Sequence, residues 1–148
     1  MNFWQKIKAL VPIKHILFVL ALFAVTMLIF YFDTAEDVKI TFAETQVEVK
    51  HDRKYSMAIP YDIIEAAQLV ELPQGGEKQA GGDNMVVRYG TWVNDTWGQY
   101  CICVDLDATL CIEISLNDGR TFVISRKSNE ETTAVFEQLQ ARLAAQGG

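Results

Sequence analysis

The chain has 148 residues, with 13 lysines and arginines against 19 aspartates and glutamates, and three cysteines. The first 32 residues carry only basic charge (Lys6, Lys8, Lys14), so the other 10 basic residues face all 19 acids, a formal charge of −9. Such a field works against nucleic acid and anionic lipid, because both are bound by Lys and Arg neutralising phosphate, and the stretch behind it is long enough for one modest core.

Residues 16–32 read ILFVLALFAVTMLIFYF, without a charge. Seventeen residues is the short end of what crosses a bilayer, which takes roughly 17–25. Three readings compete: a cleaved signal peptide, a buried core helix and an uncleaved anchor. No A-x-A-like site follows the run, since the next residues are Asp33, Thr34, Ala35 and Glu36. The run is apolar on every face, and the rest of the chain is too small to enclose it. An uncleaved anchor is therefore expected, with residues 1–15 as a basic segment, 16–32 as the transmembrane helix and 33–37 as a linker. The lysines precede the run, so the positive-inside rule puts the N-terminus in the cytoplasm and residues 38–148 outside, at the cell membrane.

The next segments alternate at period two. Residues 39–42 (KITF) and 45–50 (TQVEVK) read as a hairpin, 51–54 (HDRK) as a polar turn, and 55–59 as a strand that Pro60 interrupts. Residues 62–72 fit either a helix or a short turn followed by a strand. Residues 73–84 (PQGGEKQAGGDN) read as a loop, 85–88 as a short strand and 89–98 (YGTWVNDTWG) as a long turn. Residues 99–106 and 110–116 form the clearest pair. Tyr100, Ile102, Val104 and Leu106 are matched with Leu110, Ile112, Ile114 and Leu116 on one face. Asn117-Asp118-Gly119 supplies a tight turn, and residues 121–125 the last strand. Ser128 is placed as an N-cap with Glu131 completing a capping box, and Val135, Phe136, Leu139 and Leu143 form an apolar stripe. The fold class is mainly β, about seven strands closed by one C-terminal helix.

About seven short strands followed by a helix resembles the pleckstrin-homology order. ITFAETQVEVK, YSMAIPYDIIEAAQLVE and CIEISLNDGRTFVISRKSNEETTAVFEQLQARL look like the bacterial pleckstrin-homology-like domains that follow membrane helices. The resemblance covers residues 38–143. It implies a split β-barrel with the helix plugging one end, and a binding rather than an enzymatic role. The chain departs from the lipid-binding pattern, in which several basic residues surround one loop: here only Lys50, Arg53 and Lys54 cluster, beside Asp52.

Candidate sites each have a plain structural alternative. Lys50, His51, Arg53 and Lys54 are either a phosphate-headgroup site or a solvated turn. Tyr89, Trp92 and Trp97 are either a contact patch or aromatic packing over a barrel opening. Cys103 falls opposite Cys111 if residues 106–108 make a three-residue loop, and directly opposed Cβ atoms come within disulfide reach. The alternative is three unrelated small residues or a register slipped by two. A metal site from Cys101, Cys103 and Cys111 needs a fourth ligand that neither His15 nor His51 is placed to supply. No catalytic residues and no cofactor are expected. The expected activity is protein–protein contact at the bilayer surface, with a lipid- or small-ligand-binding module as the second reading.

Overall fold

A computed structural model describes residues 13–34, 37–53 and 55–147. The chain divides into two compact units, Met1–Ala35 and Glu36–Gly148. Among the described residues of the first, helix α1 (Ile13–Thr34) starts earlier and ends later than the apolar run alone suggests. Its Ile13–Phe30 stretch is long and apolar enough to cross a membrane, and every residue of that stretch is exposed. Its one mid-helix hydroxyl is satisfied internally: Thr26 Oγ1 donates to the Leu22 carbonyl at 2.8 Å, the back-bond to the i−4 carbonyl that Thr commonly makes in a helix.

The second unit is mainly β. Strands β1 (Lys39–Phe42), β2 (Gln46–His51) and β3 (Tyr55–Pro60) make an antiparallel meander. Phe42 pairs with Val47, Val47 with Ile59 and Val49 with Met57, so the alternation read in the sequence becomes one buried face. The turn after β2 places Asp52 at φ 55, a left-handed conformation that aspartate tolerates better than most residues. Residues 62–72 resolve as a 3₁₀ turn, Tyr61–Ile63, followed by β4 (Ile64–Glu71).

Five more strands follow: β5 (Glu77–Asp83), β6 (Val87–Asn94), β7 (Gly98–Asp105), β8 (Leu110–Leu116) and β9 (Thr121–Ile124). With β4 they form a six-stranded sheet in the order β4-β8-β9-β7-β6-β5, in which only β7 and β9 run parallel. Nine described strands replace the expected seven. Two segments expected as loop or turn are strands instead. Residues 77–83 form β5 because β6 supplies their hydrogen-bond partners, and residues 89–94 lie within β6, with Asn94 pairing to Gly98 at the tight end of the β6–β7 hairpin. Strands β4 and β5 are borders of the large sheet, and β1 and β3 of the small one, so neither closes into a barrel.

The β7–β8 pairing expected from sequence is also corrected. β9 lies between them, pairing antiparallel with β8 and parallel with β7. As a result their apolar residues do not share a face. Cys103, Ile112, Ile114, Phe122 and Ile124 belong to the main core with Val47, Val49 and Ile59. Tyr100, Ile102, Val104, Cys111 and Val123 belong to a second apolar cluster with Trp92. Both faces of the sheet are therefore buried.

Helix α2 (Asn129–Gln146) covers the main core, with Leu139 fully buried and Val135, Phe136 and Leu143 packed around it. Ser128 caps it, its side chain accepting from Glu131 N at 3.2 Å, while the Glu131 carboxylate pairs with Arg126 at 3.2 Å.

Candidate functional site

The second cluster has neither a helix nor another sheet among the residues that form it. A short link closes it. Strands β4 and β5 are opposite borders of the six-stranded sheet, yet only residues 72–76 join them. Five strand spacings of about 4.8 Å make a flat sheet about 24 Å wide, and the link reaches about 20 Å. The sheet must curl at this end, and the link crosses its second face. Leu72 N donates to Thr109 O at 2.8 Å and its side chain packs on the cluster. Gly76 lies so close that an added Cβ would stand 3.2 Å from Tyr100 Oη and 3.3 Å from the Val93 carbonyl.

A cleft opens on each side of this link. One, of about 540 Å³, is lined by Pro73, Gln74, Gly76, Glu77 and residues 93–96. The other, of about 670 Å³, is lined by Glu71, Leu72, Pro73, Gln74, Arg88, Leu106, Ala108 and Thr109. Gln74 borders both. The second cleft holds Arg88, a charged group whose pairing is incomplete. Arg88 and Trp92 lie four residues apart on one strand, hence on one face, and the Arg88 guanidinium stands 4.6 Å from the centre of the Trp92 ring. Its Nη2 reaches the Oδ2 of its cross-strand neighbour Asp83 at 3.4 Å, and its Nε is buried without an acceptor. Trp92 is 5% exposed, its Nε1 donating to Tyr89 O at 3.5 Å. Trp97 meets Tyr100 edge-on at 5.1 Å. Burial pushes the Tyr100 phenol upward, and nearby Arg88 works against that.

The residues singled out in the sequence are dispersed by the fold. Trp92 and Trp97 pack on the second cluster, whereas Tyr89 faces the main core, 5.1 Å from the His51 ring and 5.4 Å from Tyr55. The three aromatics are thus split across the two faces of the sheet, and Trp92 is no exposed anchor. Lys50 is exposed and paired with Glu48 at 2.9 Å. His51 is buried, with Nδ1 lacking a partner among the described residues. Arg53 is exposed at the turn, and Lys54 lies outside the described residues. None of Lys50, His51 and Arg53 lines either cleft.

Cys103 and Cys111 are corrected as partners. With β9 between their strands they stand about two strand spacings apart, roughly 10 Å, beyond the reach of a disulfide. All three cysteines are free thiols. Burial pushes both Cys103 and Cys111 up to about 12, and Cys101 upward too, which suppresses the reactive thiolate. Asp105 is buried at the end of β7. Its Oδ1 accepts from Asp107 N at 3.0 Å, its Oδ2 has no partner, and burial raises its carboxyl. Among the described residues no group of three or more His, Cys, Asp or Glu is placed to hold a metal ion.

Arg88 was missed by the sequence reading, although a signal was present. It is the only basic residue between Lys78 and Arg120, and it sits in an apolar run, MVVRYGTW. Compared with known proteins, the chain matches no family model, no curated protein and no solved structure.

Proposed function

We propose that the chain is a membrane-anchored binding module of pleckstrin-homology-like type, which acts by contact with a protein partner at the bilayer surface. In this reading α1 is a single-pass anchor. Lys6, Lys8 and Lys14 keep the N-terminus in the cytoplasm, and the β-rich unit is extracytoplasmic. It binds and performs no catalytic step. The observation that carries the reading is the second face of the large sheet, where a five-residue link leaves a half-open cleft on either side. Tethering adds to such a site: a weak face confined to the membrane meets other membrane proteins at a raised effective concentration.

The test is a photo-crosslinking side chain at position 74, which borders both clefts, in the full chain in native membranes. A protein adduct of one discrete mass is expected. Labelling confined to lipid or to small molecules would replace this reading with the second one, a lipid- or small-ligand-binding module. That alternative has its own support, because about 670 Å³ lies within the range of small-molecule sites, roughly 300–1,000 Å³. A topology reporter fused after Gly148 tests placement, and cytoplasmic activity would reverse the orientation.

A further inference from the structure

We infer that the cleft beside Arg88 is a monocarboxylate site, taking an acid with a compact apolar body through the Arg88 guanidinium. The inference rests on the binding-module reading and names the chemistry its cleft recognises.

Three observations carry it. First, the guanidinium is under-coordinated. Arginine presents five N–H donors in a planar fork, and here Asp83 accepts from one nitrogen at a long 3.4 Å while Nε has no acceptor. Two exposed ion pairs of this unit are tighter, 2.9 Å for Lys50–Glu48 and 2.8 Å for Arg120–Asp118, while Lys127–Asp37 is looser at 3.7 Å. A side chain only 19% exposed has little water to replace the missing acceptors, and a half-buried cation is costly unless paired and hydrogen-bonded. Second, the cation is held in place. Trp92 lies 4.6 Å beneath it, and a guanidinium stacked on an indole keeps its edge in one orientation. Third, the rest of the lining selects the ligand. Leu72, Pro73, Leu106 and Ala108 supply the apolar part of the lining, and Glu71 adds a negative charge that repels phosphates and dicarboxylates more strongly than a single carboxylate. One negative charge on an apolar body fits that surface. Asp83 occupies the donor edge, and an incoming carboxylate displaces it to make the two-pronged contact that Asp83 makes only in part.

The same chemistry comes from two sources, the C-terminal residue of a partner chain or a free small acid. The experiment uses N-acetyl-leucine, with N-acetyl-leucinamide as its uncharged counterpart, titrated into the full chain in detergent micelles. The readout is the NMR signals of Arg88 Nε–H and Trp92 Nε1–H. The acid is expected to shift both signals saturably and to bind at least about tenfold more tightly than the amide. Arg88→Lys keeps the charge but loses the fork and should weaken the acid about tenfold. Asp83→Asn removes the internal competitor and should tighten it by about two- to fivefold. Equal binding of acid and amide by the unaltered protein would overturn the inference, whatever the variants do, as would absence of any saturable shift.

The outcomes separate it from the broader reading. A protein crosslinked from position 74 with no acid binding leaves the module standing and removes the carboxylate site. Acid binding with no crosslinked protein removes the protein partner and leaves a free small acid as the ligand.

Discussion

Gly81 and Gly90 face each other across the β5–β6 ladder at a separation that admits no side chain on either. A Cβ on Gly90 would stand 2.2 Å from the Ala80 carbonyl oxygen and 2.7 Å from Gly81 Cα. Both residues have φ above +100°, a region that only glycine enters cheaply. Gly90→Ala should therefore detach β5 rather than shift it slightly. The expected loss is about 2–4 kcal/mol. Hydrogen exchange should show protection lost across residues 77–83 and kept in β1–β3, and uniform protection would refute the assignment. Because Asp83 belongs to this hairpin, the same variant should also loosen Arg88.

The buried thiols make stability depend on alkaline pH. The folded protein holds the protons of Cys103 and Cys111 up to about 12, against 9.0 for an ordinary thiol. Their contribution is therefore whole below about pH 9 and is lost as pH rises towards 12. At pH 11 each should remove roughly 2–3 kcal/mol. Denaturant melts at pH 7, 9 and 11 measure the slope, and Cys103→Ala/Cys111→Ala should flatten it. Native protein should react slowly with a thiol reagent at pH 7 and fully once unfolded.

Asp105 is a carboxylate that the fold would rather keep neutral. It is buried, its Oδ2 is unpartnered, and Asp107 and Asp37 repel its charge. Asp105→Asn retains an oxygen to accept from Asp107 N, and should stabilise the protein at pH 7 by about 1 kcal/mol. The sign follows from a raised carboxyl: the penalty is absent at low pH and grows as pH rises through the folded-state value. Thermal melts at pH 4 and pH 7 should therefore show a gain only at the higher pH, and equal gains at both would mean that charge is not the cause.

Helix α2 depends on one side chain and one cap. Leu139 is fully buried, so Leu139→Ala should cost about 2–5 kcal/mol. Ser128→Ala removes the acceptor for Glu131 N and should cost about 1 kcal/mol. The two sites are three turns apart, so their effects on denaturant midpoints should add.

The strands that alternate cleanly were legible because one of their faces meets the core and the other meets water. KITF, QVEVK and the cap at Ser128 lie where periodicity and capping chemistry place them. EKQAGGD was illegible as a strand. Six of its seven residues are exposed, so no burial pattern marks it, and its glycines mimic a loop. CICVD was misread for the opposite reason. Cys103 and Val104 are both fully buried, on opposite faces, so alternation no longer distinguishes inside from outside. Pairing order was beyond reach as well. Period two reports which way a side chain points, and nothing in it says that β9 enters between β7 and β8. Arg88 acquires its meaning only from Trp92 and the cleft, which the fold brings together.

The position of β9 has a consequence for how the chain is made. When a ribosome has released residues as far as Leu116, five of the six strands of the large sheet exist, but no ladder yet joins the β4–β8 pair to the β5–β6–β7 meander. Four residues, Thr121–Ile124, make both connections. Until they emerge, each half presents an open edge that other chains can pair with. The last strand is thus a clasp, and a chain stopped before Thr121 leaves two fragments of one sheet with no ladder between them.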